Sequence, residues 1–293
     1  SRLYRIRYVG PPQKGAGKRL VANQDLRDLR HSLEVFHGNP HAGNTAITRA
    51  WPHLSHPDRN IRYAARLAIE NQPVSLWQER VLREEDQRAL IHASIALCRH
   101  GDPSLSHRIL KKLNQIPFDS LAAEDQLALL RAYSLCFIRL GQPAAELINV
   151  VIGNLDPFFP TGDEQVNTEL CRVLSYLDAP QVVKKTISLM KITQTRTLDY
   201  DKEMLSRHEY GKEILKTMAN TPNSQNIQYA YSLRRVRNGW TLSDRKYFFS
   251  WMNETLRKSG GKSFAGYMRA IREDAIQHLA PEVATSVSWL LGD

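Results

Sequence analysis

Residues 56–69 read HPDRNIRYAARLAI. Ile61, Ala64, Ala65, Ala68 and Ile69 recur at steps of three and four, which puts an apolar, alanine-rich stripe on one face of a helix. Small residues on that stripe let a second helix approach closely, and Arg62 is long enough to reach a neighbouring turn. Ser55 and Asp58 have the spacing of a capping box, as do Thr161 and Glu164 further along. Outward from this stretch the helical period persists from Leu26, through Leu29, Leu33 and Phe36, almost to the end of the chain, and strand signals are nearly absent.

Breakers punctuate that period at short intervals: Gly38-Asn39-Pro40, Pro57, Gln72-Pro73, Gly101-Asp102-Pro103, Pro117, Gly141-Gln142-Pro143, Asp156-Pro157, Ala179-Pro180, Pro222, Gly239, Gly260-Gly261 and Pro281. Apolar helices separated by tight turns are the pattern of stacked helix pairs, in which each pair buries its inner face against its neighbours. The pairs predicted are 24–54, 57–84, 86–115, 120–156, 163–192 and 223–258, followed by a helix over 262–279 and a short one over 282–291. The expected class is all-α, an α-α superhelical solenoid. At 293 residues the chain exceeds the usual size of one compact core, and a repeat array is one way to grow beyond it. A polar stretch at 193–222, with a helix expected around 199–218, reads as an insertion on one face of the array.

The opening differs. Tyr4, Ile6 and Tyr8 alternate with Arg5 and Arg7, as in a half-buried strand, and the following GPPQKGAGK has the turn-forming, basic composition of a linker. One strand cannot stand alone. Residues 1–23 are therefore expected to be a strand remnant of an upstream domain plus a basic linker. Residues 24–293 form the helical repeat domain, with the insertion at 193–222 and a C-terminal cap at 238–293.

Two resemblances follow from these stretches. Residues 56–69 resemble the HEAT repeat, the armadillo-like class of helix pair, with Asp58, Ile61, Arg62, Ala65 and Ala68 at its structural positions. Residues 238–279, NGWTLSDRKYFFSWMNETLRKSGGKSFAGYMRAIREDAIQHL, taken with RYAARLAIENQPVSLWQERVL, AYSLCFIRLGQP and LYRIRYVG, resemble the large multi-domain redox proteins of planctomycetes and their relatives. Members of that family join an exported sugar-dehydrogenase-like β-propeller, a HEAT region and a c-type cytochrome domain. The resemblance implies that this chain is the HEAT spacer with a propeller strand attached, that it lies in the periplasm or otherwise outside the cytoplasm, and that its partners are adjacent domains of the same polypeptide or another protein. The family's CxxCH haem motif is not in this sequence, and no cofactor is expected of this segment.

Composition bounds the rest. The net charge of +10 suggests an acidic partner, and a basic solenoid cradling DNA, similar to the alkyl-base glycosylases built on such repeats, is the rival reading. Arg2, Arg5, Arg7, Lys14, Lys18 and Arg19 all precede the first acid, Asp25, so much of the excess lies in the leader and the helical body is only mildly basic. No apolar run reaches the ~20 residues of a membrane span. Cys98, Cys136 and Cys171 sit in apolar helical patterns and read as buried thiols.

Motifs for catalysis fail on spacing. Gly261-Lys262-Ser263 has Leu256 where a phosphate loop needs its first glycine, and Gly17-Lys18 has Pro12 there and Arg19 in place of Ser or Thr. His208-Glu209 has Lys212 where a zinc protease needs its second histidine, and no GxSxG occurs. Of the clustered His31, His37, His41, His53 and His56, His37 and His41 straddle a breaker and cannot be one helix's ligand pair. Glu84-Glu85 and Asp163-Glu164 lie at helix starts, where the helix dipole favours them. The remaining candidate is an interaction surface near the end, where Trp240, Arg245, Lys262, Arg269 and Arg272 fall within a dense set of aromatic and basic residues. Phe248, Trp251 and Met252 fall on one face, as do Phe264, Tyr267, Met268 and Ile271, and core packing of the terminal helices is the expectation for both groups.

Overall fold

Several of the helices start at a short polar side chain that reaches the first free amides. The computed structural model describes residues 9–10, 23–195, 206–259 and 261–291, and among them every regular element is helical and none is a strand. The fold is all-α. The expected strand over residues 3–9 lies outside the described residues apart from Val9, which is exposed. The chain divides into two compact units, 1–72 and 73–293, at the predicted breaker Gln72-Pro73. The boundary falls inside the predicted pair 57–84 and within the span read as one repeat domain.

The first unit holds α1 (Gln24–Glu34), α2 (Gly43–Ala50) and α3 (Arg59–Glu70), with α3 packed on both of the others. The cap of α3 is Asp58 and not Ser55: Asp58 Oδ1 accepts from Asn60 N at 2.7 Å and Ile61 N at 3.1 Å. Pro57 disfavours helical geometry at the residue before it, so the helix begins only beyond it, and the first carboxylate there takes the cap. Arg62 is buried and turns back on the same corner, its Nη1 donating to the carbonyls of His56 at 2.7 Å and Pro57 at 2.8 Å. Ala64, Ala65 and Ala68 are buried with Leu33, Ile47, Leu54 and Ile69 in the unit's core. Gln72 closes the unit by donating to the carbonyls of Asn39 and Ala68 while accepting from Gly43 N.

The second unit begins with α4 (Gln78–Arg83), α5 (Gln87–His100), α6 (Ser106–Leu113), α7 (Ala123–Leu140), α8 (Ala145–Leu155), α9 (Glu164–Tyr176) and α10 (Val182–Thr195). It continues with α11 (Glu209–Ala219), α12 (Ser224–Leu233), α13 (Leu242–Leu256), α14 (Gly261–Gln277), α15 (Pro281–Ser286) and α16 (Ser288–Leu291). These bounds lie within a few residues of the predicted pairs. The helix expected around 199–218 is α11 over its second half, and residues 196–205 lie outside the described residues.

Helices in this unit pack on their neighbours in the chain and also on helices two or three places further along. Helix α5 packs on α7, α7 on α9, α9 on α12 and α12 on α14, while α4 packs on α6 and α6 on α8, and further on α10 packs on α13 and α13 on α16. A helix with neighbours on two sides must be apolar on more than one face. Helix α5 meets that demand by burying Ala89, Leu90, Ile91, Ala93, Ile95, Ala96, Leu97 and Cys98. Between α5 and α7 the Arg88 guanidinium grips the Asp125 carboxylate with two nitrogens, Nε reaching Oδ1 at 2.9 Å and Nη2 reaching Oδ2.

The caps again differ from the predicted boxes. Asp163, not Thr161, caps α9, with Oδ1 accepting from Gln165 N at 2.8 Å and Val166 N at 2.9 Å. Thr161 instead holds the capping residue, its Oγ1 accepting from Asp163 N. The reciprocal box occurs at α13, where Thr241 Oγ1 accepts from Asp244 N and Asp244 Oδ2 accepts from Thr241 N. Just before it Gly239 has φ +77°, and a Cβ there would lie 2.5 Å from the Pro180 carbonyl oxygen, so only glycine fits the turn.

Candidate functional site

An arginine on the apolar face of a helix organises the C-terminal region. On α13, Arg245 is spaced three, four and seven residues from Phe248, Phe249 and Met252, all buried, and it is itself 5% exposed. Its guanidinium lies over the Trp240 ring, 3.8 Å from the centroid, and Nη2 donates to the Val236 carbonyl at 3.5 Å. Trp240 is fixed in turn by its indole Nε1, which donates to the same carbonyl at 2.9 Å, and by an edge contact with Phe248 at 5.1 Å. Burial without a carboxylate partner pulls the Arg245 pKa down to about 10. Among the described residues its Nη1 has no hydrogen-bond partner.

Arg245 and Trp240 line a cleft of about 410 Å³ together with Arg237, Thr241, Leu242, Gln277, His278, Leu279, Ala280 and Val283. The cleft lies between the turn preceding α13, the end of α14 and the start of α15. The nearest acid in sequence, Asp244, is engaged in the capping box with Thr241. His278 Nδ1 lies 2.7 Å from the Asp274 carbonyl, a partner that can only accept, so Nδ1 carries the proton and Nε2 is the ring's remaining nitrogen.

Of the four predicted surface residues whose side chains are described, Trp240 and Arg245 are the pair that meet. Arg269 is exposed on α14 and does not line the cleft, and Arg272 Nη2 donates to the Leu290 carbonyl at 3.2 Å, which ties the terminal helix down. The side chain of Lys262 lies outside the described residues. Neighbouring cations are also committed internally: Arg234 and Arg235 converge on Asp274 Oδ2 at 2.9 and 2.7 Å, and the Arg234 guanidinium lies 3.6 Å over the Tyr231 ring. The predicted aromatic core holds on α13, where Phe248, Trp251 and Met252 are buried. On α14 Met268 and Ile271 are buried, but Tyr267 is 41% exposed and stacks on Tyr231, because α12 covers only part of that face. His278, Leu279 and Val283 carry no motif that marks them as site residues; the one sequence signal pointing to them is their position on either side of Pro281, where a breaker brings helix ends together.

The histidine stretch serves local structure. His37 Nε2 meets the Ala64 carbonyl at 2.9 Å, His56 Nδ1 accepts from Asp58 N at 3.0 Å, and His31 meets Glu34. Burial, with His56 and Arg49 nearby, lowers the His53 pKa. Among the described residues no three His, Cys, Asp or Glu side chains are grouped to hold a metal ion. All three cysteines are buried free thiols. The hydrogen bond with Cys136 and burial push the Cys98 thiol far up, and burial does the same for Cys171, which lies 3.4 Å from Thr186 Oγ1. No described helix is long and apolar enough to cross a membrane.

The chain matches no protein-family model, no curated protein and no solved structure.

Proposed function

We propose that this chain is a non-catalytic HEAT-like interaction module, the spacer that holds an oxidoreductase propeller and a cytochrome c domain in relation to each other within a larger exported protein. The observation that carries the reading is the packing order of residues 73–293, in which helices meet their chain neighbours and helices two or three places further along. That order is what a solenoid requires, since each repeat contacts only its neighbours and the array grows into a semi-rigid, extended surface. The corner at Asp58 and Arg62 supports the same reading, because the two residues most characteristic of the HEAT resemblance are the ones that cap α3 and pin the turn before it.

The test compares this chain with the longer protein read from its gene. The module reading expects the chain alone to bind no redox cofactor and to oxidise no sugar with a dye acceptor, while the parent does both. Turnover or cofactor binding by the chain alone overturns it. A rival reading, DNA binding by a basic solenoid, draws on the net charge of +10. Internal commitment of Arg234, Arg235 and Arg272 weighs against it. Its signature is retention of duplex DNA that falls steeply with salt, and the module reading expects none.

A further inference from the structure

A guanidinium withdrawn from water with no acid beside it is an uncommon arrangement. A buried arginine is ordinarily held by a carboxylate, because desolvating the charge without one is costly. Among the described residues Arg245 has a carbonyl contact at 3.5 Å, the face of Trp240 and an Nη1 with no hydrogen-bond partner, and the acid next to it in sequence, Asp244, is tied up in a helix cap. It borders an open cleft, so the missing counter-charge has a route in.

We propose that the cleft bounded by Trp240, Arg245, Leu242, His278, Leu279 and Val283 is a binding site for a carboxylate carried on an apolar or aromatic body. Two features set that class. The lining offers one buried cation and one exposed one, Arg237, which suits a single negative charge better than a dianionic phosphate. Beside the polar Thr241 and Gln277, the wall is Trp240, Leu242, Leu279, Ala280 and Val283, which solvates hydrocarbon. A volume of about 410 Å³ takes a small organic acid or the last residue of a peptide and excludes a helix or a nucleic acid strand. Charge pairing with a planar carboxylate also leaves the stack on Trp240 intact, since the fork binds in its own plane. The inference stands on the cleft alone and survives failure of the module reading.

The experiment is calorimetric titration of the full chain with sodium benzoate and with the peptide Ac-GGSGLF bearing a free C-terminus, each against its neutral amide. At least one acid is expected to bind tenfold or more tightly than its amide. Preference for the peptide acid assigns a protein terminus as the source, and preference for benzoate assigns a free organic acid. Arg245→Met, checked for folding by circular dichroism, should abolish the acid-over-amide preference, and Arg245→Lys, which keeps the charge without the fork, should reduce it. Arg269→Met, outside the cleft, should leave it unchanged. The proposal is overturned if neither acid is preferred over its amide, or if the preference survives both changes at Arg245.

Discussion

Removing either partner of the Arg88–Asp125 pair should destabilise the second unit by different amounts, because the group left behind differs. Asp125 is 5% exposed and accepts its side-chain hydrogen bonds from Arg88 alone among the described residues, whereas the Arg88 side chain is 32% exposed. Arg88→Met strands a buried carboxylate. Breaking such a pair costs about 3–5 kcal/mol when both ions are buried, and with Arg88 part-exposed we expect about 3 kcal/mol. Asp125→Ala leaves an arginine that can swing its head into water, which limits the loss to about 1.5 kcal/mol. The double variant carries neither stranded charge and should lose about 2 kcal/mol, well short of the sum, giving a coupling of about 2.5 kcal/mol. Urea denaturation followed by far-ultraviolet circular dichroism supplies all four stabilities. If Asp125→Ala costs as much as Arg88→Met, or if the two losses add, the contact between α5 and α7 is not held by a desolvated ion pair.

Three further outcomes follow from single sites. Gly239→Ala places a methyl 2.5 Å from the Pro180 oxygen at φ +77°; the combined strain should lower stability by about 2 kcal/mol or more, read as a fall in thermal midpoint. Burial raises the Asp274 carboxyl, but hydrogen bonds from Arg235 and Arg234 outweigh it and hold the group below the usual carboxylate value. A depressed folded value gives stability that is present above the usual carboxylate value of about 4 and lost as pH falls through the lower folded value, so Asp274→Asn should flatten acid destabilisation below about pH 4; an unchanged slope contradicts the network. Cys98, Cys136 and Cys171 should resist a disulfide reagent in the native chain and all react in denaturant; rapid native labelling of any one means that helix is not packed as described.

Period and punctuation alone make the helix pairs legible. Apolar steps such as Ile61 to Ile69 fix a helix and its buried face, and a proline or glycine ends it, so both signals are local. The caps fall on the next short polar residue after Ser55 and Thr161, because the spacing of a box does not say which of two such side chains faces the amides; Pro57 and the hydrogen bond from Asp163 N to Thr161 Oγ1 decide that. The site is less legible. Trp240 and Arg245 stand out by type, yet Arg245's burial shows only as its register with Phe248, Phe249 and Met252, a register in which an apolar residue is the norm. Arg234 and Arg235 have the pattern of surface charge, and only the fold brings Asp274, some forty residues on, to meet them. Such pairings depend on which helix lies beside which, and periodicity carries no information about that.

A module that relates two redox domains without doing chemistry itself should be dispensable for each half-reaction and necessary for their coupling. Excising residues 24–291 from the proposed multi-domain parent, and following by stopped-flow absorbance the sugar-driven reduction of the haem it is proposed to carry, separates the two. Sugar oxidation with a soluble dye and the haem spectrum should both persist while haem reduction by sugar collapses. Haem reduction at an undiminished rate after excision, or loss of dye-linked sugar oxidation with it, contradicts the spacer role.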